Sequence, residues 1–217
     1  HAYKDFDPPI RGGIERHIAL MCRHQREWAE VEVLVCARGT RTRRETVNGI
    51  PLTLAGEWGR FQGAPAAPMY PWLLRCARAD VLVIHMPNPT TEIGCLLARP
   101  GGAWVARYHS DVVRQASAMK VYGWVQRQFL RQTDIILPTS SQYVETSPML
   151  KPLETKCRVV PLGVPIEEFA APDESVVRDL RERYGGRFVF FSGIHRYYKG
   201  LEWLVRAAPQ IQSRVVI

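Results

Sequence analysis

Short runs of β-branched residues alternate with amphipathic stretches along most of the chain, and this alternation constrains the fold more than any other feature. Runs such as 31–36, 80–86 and 103–108 have the length and composition of buried strands. The stretches between them have a helical period. A strand followed by a helix, repeated along the chain, builds a parallel sheet. The sequence therefore predicts an α/β fold, a Rossmann-like parallel sheet with helices on both faces.

Turn signals divide these predicted elements. Asn48-Gly49 is typical of a tight turn between two extended segments, and the Gly- and Pro-containing stretch 57–68 predicts a loop. The cations Arg41, Arg43 and Arg44 are expected in a solvated loop. The predicted strands are 31–36, 50–54, 80–86, 103–108, 134–137 and 158–160, and the predicted helices are 13–28, 70–78, 91–98, 117–132 and 140–150.

The pattern changes near residue 162, where Leu162-Gly163-Val164-Pro165 interrupts it. A second α/β series starts after this break, with too few residues for a finished Rossmann-like sheet. We therefore expect residues 1–165 to form one domain, and residues 166–217 to be a linker and the start of a second domain that continues beyond this chain. The predicted elements of the second series are a helix over 173–184 with Asp173 as its N-cap, a strand over 188–192, a helix over 201–208 and a strand from Arg214.

Charge and cysteine content limit the possible partners. The chain has 29 Lys and Arg against 21 Asp and Glu, a net charge of +8, which favours phosphates, nucleic acid or an anionic membrane face. The cations are spread over many elements without a nucleic-acid-binding motif, so no nucleic acid partner is expected. The five cysteines are scattered without a CxxC pair, which indicates a reducing, cytoplasmic setting. No apolar run is long enough to span a membrane.

Polar residues that directly follow predicted strands are the candidate site residues, because ligands bind at the carboxyl ends of strands in an open α/β sheet. Gly12-Gly13 precedes a predicted helix. Glycines let the backbone come close to a ligand, and a helix N-terminus favours an anion, so this pair is a candidate binding site. The alternative is that the two glycines only form a tight turn. His109 and Asp111 follow the strand over 103–108. The alternative for His109 is helix capping or the satisfaction of a buried backbone group.

A second candidate segment runs from Gly193 to Gly200, between a predicted strand and a predicted helix. Arg196 and Lys199 near a helix N-terminus would suit a diphosphate, and two solvated surface cations are the open alternative. His17, His24 and His85 have no metal-ligand spacing with any cysteine or acid, so no metal site is expected.

Residues 112–132 combine cations and aromatic rings without an acidic residue. A basic helix with aromatic residues can lie on an anionic bilayer face. The alternative is an ordinary amphipathic helix that packs on its own sheet. The two differ in whether Trp124 and Phe129 are exposed on the side of the cations or buried against the sheet.

A series of short segments occurs in a characteristic order along nearly the whole chain. The segments are Tyr3-Lys4-Asp5 with Pro8-Pro9, Gly12-Gly13-Ile14-Glu15-Arg16-His17, Pro87-Asn88-Pro89, Tyr108-His109-Ser110-Asp111-Val112-Val113-Arg114-Gln115, Thr139-Ser140-Ser141-Gln142-Tyr143, Val159-Val160-Pro161-Leu162-Gly163-Val164 and Tyr197-Tyr198-Lys199-Gly200-Leu201. In this order they resemble the family 4 glycosyltransferases of the GT-B fold, and in particular the bacterial mannosyltransferase-like members.

The resemblance implies two Rossmann-like domains that face each other across a cleft, the first for the acceptor and the second for a nucleotide-sugar donor of the GDP or UDP type. It implies sugar transfer with retention, without a bound metal or other cofactor, in which cations and glycine-loop amides stabilise the leaving diphosphate. The acceptor would be a glycan or a lipid-linked glycan of bacterial surface polysaccharide or glycolipid synthesis. The enzyme would be cytoplasmic, with peripheral contact to the anionic inner face of the plasma membrane.

The resemblance also assigns roles to residues. His109 is the catalytic candidate beside the transferred sugar, Gly12 and Gly13 approach the diphosphate or the acceptor, and Lys199 matches a phosphate-binding lysine. The complete predicted set is His109 as catalytic residue, with Gly12, Gly13, Asp111, Gly193, Arg196 and Lys199 for substrate binding and no metal ligand.

The chain departs from the family pattern at two positions. Ile194 stands where the family usually has Arg, which makes Arg196 the candidate to replace it, and Pro165 stands where Asp is frequent. The donor-contacting carboxylates of the family are expected beyond Ile217, so the chain by itself should be catalytically incomplete. Because of Ile194, a non-catalytic nucleotide- or glycan-binding relative is the alternative function.

Overall fold

The computed structural model describes residues 1–61, 63–111, 116–185, 187–193, 195 and 197–217, with the backbone alone over 116–121. The chain divides into two compact units, His1–Gly163 and Val164–Ile217. The break in the sequence pattern near residue 162 coincides with this division.

The first unit alternates strands with helices along the chain. All of its α-helices overlap predicted helices, and every strand except an antiparallel edge strand and a short hairpin overlaps a predicted strand. The elements are, in chain order, α1 (Gly13–Gln25), β1 (Val33–Arg38), β2 (Arg43–Val47), β3 (Ile50–Glu57), β4 (Arg60–Phe61), β5 (Ala64–Pro65), α2 (Tyr70–Cys76), β6 (Val81–Met86), α3 (Pro89–Ala98), β7 (Ala103–Tyr108), α4 (Ala116–Gln132), β8 (Ile135–Pro138) and α5 (Ser141–Thr146), followed by a 3₁₀ helix (Lys151–Lys156).

The main sheet is largely parallel and consists of two halves joined by the first residues of the chain. β1 pairs with β3 in parallel, and β6, β7 and β8 pair in parallel in that order. Ala2 forms parallel bridges to both Leu34 of β1 and Ile84 of β6. The order across the sheet is therefore β2-β3-β1, then Ala2, then β6-β7-β8. The predicted α/β fold with a parallel sheet is confirmed.

Helices cover both faces of this sheet, as alternate residues of β1 demonstrate, because successive side chains of a strand point to opposite faces. Val33 and Val35 belong to the buried cluster that contains Ile18 of α1. Cys36 belongs to the other buried cluster, to which α2, α3 and α4 contribute. The largest rings of that second cluster are Tyr70, Trp104, Tyr108 and Phe129.

The edge strand β2 corrects the prediction of a loop. Arg43 and Arg44 are exposed, as expected, but they lie on a strand that pairs antiparallel with β3. The hairpin turns at Asn48 and Gly49, whose φ angles are 51° and 73°. Left-handed backbone at both central residues is what an Asn-Gly turn provides.

The predicted helix over 140–150 also ends early. α5 stops before Pro148, and Ser147 adopts an extended ψ of 122°. The proline ring excludes helical backbone at the residue before it, so the helix cannot continue.

The predicted strand over 158–160 is an extended segment beside β8 that lies outside the named strands. It donates from Arg158 N to Ile136 O at 2.8 Å and from Val160 N to Pro138 O at 3.0 Å. Cys157, the residue before this segment, forms an isolated parallel bridge with Ile136. The carbonyls of Val160 and Pro161 accept hydrogen bonds from the Arg107 guanidinium.

The second unit has the predicted helix–strand order. Asp173 is the N-cap, because its carboxylate accepts hydrogen bonds from the Ser175 and Val176 backbone N–H groups. Its strands pair in parallel. The elements are α6 (Glu174–Tyr184), β9 (Phe188–Phe190), α7 (Leu201–Ala207) and β10 (Arg214–Val216), with 3₁₀ helices at Ile166–Phe169, Tyr197–Lys199 and Ala208–Gln210.

Candidate functional site

The carboxyl ends of β6 and β7 form the edge of the sheet at which the candidate site lies. His109 follows β7 directly, and its backbone N–H donates to Met86 O of β6 at 3.2 Å. This bond continues the pairing of the two strands by one residue, so the position of His109 follows from the sheet itself. Parallel strands that end together create the crevice in which ligands bind in open α/β sheets.

His109 is part of a group of rings that we call the histidine cluster, which consists of His1, His17, His85 and His109. His85 lies on β6 with no solvent exposure, and its Nδ1 is 3.1 Å from Nε2 of His109. The two rings stack with their centroids 5.4 Å apart. His17 of α1 stands edge-on to His109, with centroids 5.5 Å apart. The cluster joins α1 to the strand edge.

Burial favours the neutral form of three rings of the cluster, His17, His85 and His109. Desolvation lowers the pKa of His17 to about 4 and the pKa of His109 to about 3, and the Arg107 cation acts in the same direction on both. Desolvation also holds the pKa of His85 well below its ordinary value. A neutral imidazole has one donor and one acceptor nitrogen, so the cluster interacts through directed hydrogen bonds rather than through charge.

Arg107 places a buried positive charge beneath this edge. It pairs in register with His85, is 1% exposed, and donates to Leu137 O at 3.3 Å and to Val160 O at 2.6 Å. No carboxylate pairs with it within the described part of the chain. Desolvation lowers the pKa of this guanidinium. Carbonyl dipoles hold the charge, which gives the edge the sign that an anionic ligand requires.

The two glycines at the start of α1 differ in what surrounds them. Gly12 is the N-cap with φ −143°, and a Cβ there would lie 2.1 Å from a carboxylate oxygen of Glu15. A Cβ on Gly13 would meet nothing within 4 Å, and Gly13 has no positive φ. That oxygen is at the end of a flexible side chain that can move aside, so the contact with Glu15 gives only a weak reason for a glycine at position 12. Neither backbone strain nor packing within the described structure explains the glycine at position 13.

Asp111 has partners on two elements. Its Oδ1 accepts from Tyr108 Oη at 2.6 Å and from Ser147 Oγ at 3.0 Å, and its backbone N–H donates to Tyr143 Oη. These bonds fix the turn after β7 against α5. The predicted role of Asp111 in substrate binding stays a prediction, since this carboxylate already holds the turn that carries His109.

The predicted donor-side residues belong to the second unit. Gly193 is exposed with φ 155°. Lys199 is exposed at the end of a 3₁₀ helix, with its Nζ 5.7 Å from the centroid of the Tyr198 ring. Arg196 and Ile194 lie outside the described residues. The assignment of this segment to phosphate binding stays a prediction.

An ion-pair group that the sequence did not reveal fixes the segment leading to Gly12. Arg60 donates to both oxygens of Asp5 at 2.7 and 2.9 Å, and its Nε lies 2.9 and 3.0 Å from the two oxygens of Glu57. Both carboxylates are buried. We call this group the Arg60 cluster (Asp5, Glu57 and Arg60). It ties the first residues of the chain to the hairpin formed by β4 and β5.

The two alternatives for residues 112–132 were a helix on an anionic membrane face and a helix packed on its own sheet, and α4 has features of both. Trp124 is 62% exposed, whereas Phe129 is fully buried and stacks on Trp104 with centroids 6.0 Å apart. Phe129 is therefore a core residue, and the expectation that it could face a membrane is wrong. Arg127 and Arg131 are exposed. The cation Arg114 and the side chain of Lys120 lie outside the described residues.

Acid should destabilise the first unit before most carboxylates titrate. In the unfolded chain a histidine binds a proton near pH 6.5, whereas burial keeps His85 and His109 neutral in the folded protein. Each of the two therefore lowers the free energy of unfolding by about 1.4 kcal/mol for every pH unit below 6.5. His17 is more solvated and adds less. Burial raises the pKa of Glu92 to about 7, so this group has the opposite effect and offsets one histidine. The expected net loss is about 1.4 kcal/mol per unit below pH 6.5.

Urea unfolding at pH 7, 6 and 5 measures this loss. The variant Glu92→Gln should make the loss steeper, because it removes the group whose protonation is favoured in the folded state. An unfolding free energy that does not change between pH 7 and pH 5 would contradict the neutral histidine cluster.

No group of three or more His, Cys, Asp or Glu side chains is placed to hold a metal ion within the described ranges. Within the histidine cluster, the ring nitrogens of His1, His85 and His109 bond to one another instead of converging on one point.

Comparison with known proteins identifies relatives of this chain. A family model described as a glycosyl transferase 4-like domain matches residues 12–163. The O-antigen chain mannosyltransferase C of Escherichia coli is 38% identical over 138 residues, which cover 64% of this chain and 37% of that protein. The D-rhamnosyltransferase WbpZ of Pseudomonas aeruginosa is 29% identical over 225 residues, which cover 100% of this chain and 58% of that protein. The chain thus spans only part of the length of these curated relatives.

Proposed function

This chain belongs to the glycosyl transferase 4-like domain family, and on that premise we propose that the whole protein transfers a sugar from a nucleotide-sugar donor to a glycan or lipid-linked acceptor in bacterial surface polysaccharide synthesis. The names of the mannosyltransferase and rhamnosyltransferase relatives support this class of reaction. The observation that carries the proposal is the position of His109 at a strand edge, where its ring is held by His85 and lies edge-on to His17 of α1.

The charge of each group determines its proposed role. A neutral imidazole suits a sugar hydroxyl, so His109 is proposed to position the transferred sugar and to stabilise its developing charge. The first backbone N–H groups of α1, exposed at Gly13, suit an anionic oxygen, and the buried Arg107 adds to the positive potential. The proposed transfer retains the configuration at the anomeric carbon and needs no metal, because protein dipoles and cations stabilise the leaving diphosphate.

Nucleoside diphosphate release by the full-length protein tests this function. GDP-sugars and UDP-sugars are offered separately, each with a lipid-linked acceptor extract, and release is compared with and without acceptor. His109→Ala should abolish acceptor-dependent release and change the unfolding free energy little. The control His24→Ala removes an exposed histidine of α1 and should have no effect on release.

Two outcomes decide against the proposal. A donor that binds without any acceptor-dependent release favours the non-catalytic relative. Full turnover in His109→Ala would remove His109 from the reaction centre.

Replacing Lys199 by Ala in the full-length protein should weaken nucleotide-sugar binding roughly 10- to 150-fold. This range corresponds to the loss of one charge-assisted phosphate contact, about 1.5–3 kcal/mol. Calorimetric titration with the preferred donor measures the change, and Lys151→Ala, another exposed lysine, is the matched control. Equal affinity in the two variants would place Lys199 outside the donor site.

A peripheral position on an anionic membrane face is a second, finer part of the proposal. None of the described helices combines the length and the apolar character that crossing a bilayer requires. The exposed Trp124, with the exposed Arg127 and Arg131 on the same helix, supports surface attachment. Each cation near an anionic leaflet is worth about 1 kcal/mol.

Flotation with anionic and neutral liposomes should show binding to the anionic vesicles alone, lost at high salt because screening weakens exposed charges. Trp124→Ser should lower the bound fraction, whereas Trp28→Ser, at another strongly exposed tryptophan, should leave it unchanged. Binding that responds to neither lipid charge nor salt would contradict the electrostatic attachment.

A further inference from the structure

We propose that His85 is a positioning residue, and that a hydrogen-bonded chain from Gln25 through His1 and His85 fixes His109 as the tautomer with its proton on Nε2. The other nitrogen of His109, Nδ1, then carries a lone pair. The identity of the ligand rests on the proposed function, but the tautomer does not.

The chain of hydrogen bonds runs from α1 to the strand edge through the buried ring of His85 and the partly buried rings of His1 and His109. Gln25 Oε1 lies 2.6 Å from Nε2 of His1. His1 Nδ1 lies 3.0 Å from Nε2 of His85, and His85 Nδ1 lies 3.1 Å from Nε2 of His109. Each internal ring uses both of its nitrogens, so the state of one ring determines the state of the next.

The direction of the chain follows from its first member. An amide oxygen only accepts, so His1 carries its proton on Nε2, and its Nδ1 accepts. His85 must therefore donate from Nε2 and accept at Nδ1. His109 in turn must donate from Nε2. A neutral His109 has no second proton, and its Nδ1 is an acceptor without a partner among the residues that the structure describes.

The surroundings favour the neutral rings that this chain requires. His85 has no solvent exposure, and the nearby Arg107 cation disfavours a second positive charge. Desolvation lowers the pKa of His109 to about 3, with His17 and Arg107 acting in the same direction. A charged His85 or His109 would have two donor nitrogens and would break the alternation of donor and acceptor nitrogens along the chain of hydrogen bonds.

The fixed tautomer determines which ligand group His109 can bind. A bare imidazole nitrogen accepts a hydrogen bond from a hydroxyl, and it repels an ionised phosphate oxygen, which has only lone pairs. In the proposed reaction His109 therefore takes a sugar hydroxyl, and the phosphates bind to other groups. His85 contributes without touching the substrate, because it prevents the ring of His109 from exchanging its proton between the two nitrogens.

Nitrogen-15 NMR on histidine-labelled full chain tests the proposal, since two-bond couplings identify the protonated nitrogen of each ring. The His109 resonance is assigned by its loss in His109→Gln. The expected wild-type result at pH 7 is a proton on Nε2 and a bare Nδ1. Gln25→Glu retains an acceptor and should leave this state unchanged. Gln25→Lys offers only a donor and should move the His109 proton to Nδ1, although Gln25 does not contact His109.

A second variant covers the case in which the ammonium group introduced by Gln25→Lys fails to reach His1. His85→Leu breaks the chain next to His109, and both tautomers of His109 should then be populated. A proton on Nδ1 in the wild type, or a single Nε2 tautomer in both Gln25→Lys and His85→Leu, would overturn the proposal. The measurement needs no substrate, so absence of sugar transfer would overturn the proposed function and leave this result unaffected.

Discussion

Replacing Arg60 by Leu is expected to lower the free energy of unfolding by about 3 kcal/mol, the low end of the cost of breaking a buried ion pair. The loss follows because Asp5 and Glu57 stay buried without their partner. The bond to Asp5 raises the pKa of Arg60, so the guanidinium keeps its charge. A quarter of the Arg60 side chain is exposed, and screening by water keeps the cost at the lower end.

Urea unfolding followed by circular dichroism measures this loss. Arg43→Leu is the matched control, because Arg43 pairs with Glu45 where both side chains are exposed, and its loss should cost less than about 1 kcal/mol. The triple variant Asp5→Asn, Glu57→Gln, Arg60→Leu should recover part of the stability, since it removes the stranded charges. Equal unfolding free energies for Arg60→Leu and Arg43→Leu would show that the Arg60 cluster contributes no more than a surface pair.

Replacing Gly13 by Ala should stabilise the protein and abolish most of the sugar transfer proposed for it. Alanine at a helical position is favoured over glycine by about 0.5–1 kcal/mol, and a Cβ there meets nothing within 4 Å. The same methyl group would stand between the backbone and a bound phosphate or acceptor, and a displacement of about 1 Å costs roughly 100-fold in rate. Opposite changes in stability and activity are the mark of a residue selected for ligand approach.

Thermal unfolding and the diphosphate-release assay measure the two effects on the same samples. Gly101→Ala is the control, because a Cβ on Gly101 also meets nothing within 4 Å, and its activity should be unchanged. Gly12→Ala should change stability little, because the flexible Glu15 carboxylate that lies near the new Cβ can move aside. Full activity in Gly13→Ala would end the assignment of this glycine to the site.

The parallel sheet could be predicted from the sequence because its strands are largely buried on both faces and are therefore mostly apolar. β7 has the predicted bounds Ala103–Tyr108. β2 was missed because its side chains are exposed and polar, and only its pairing with β3 makes it a strand. The helix predicted over 140–150 was too long because its period continues past Pro148, where the backbone cannot.

The candidate site was predictable only where it follows the sheet. His109 could be found because it comes directly after a strand. His17 and His85 could not, because their meeting with His109 depends on how α1 packs on the sheet and on the register of β6 with β7. A signal was present in Arg107 and His109, two polar residues on the same face at the end of an apolar strand. The sequence pattern does not reveal the register of β6 with β7, which places His85 beside Arg107 and His109.

The insertion of Ala2 between β1 and β6 has a consequence for the order of folding. The segment around Ala2 leaves the ribosome before either neighbour, and its second neighbour, β6, is synthesised only after α1, α2 and the strands between them. Closing this sheet therefore requires contacts between residues far apart in the chain, which slows folding. Until β6 arrives, the backbone around Ala2 has one side without a strand partner, and an unpaired strand edge is a site of aggregation and of chaperone binding.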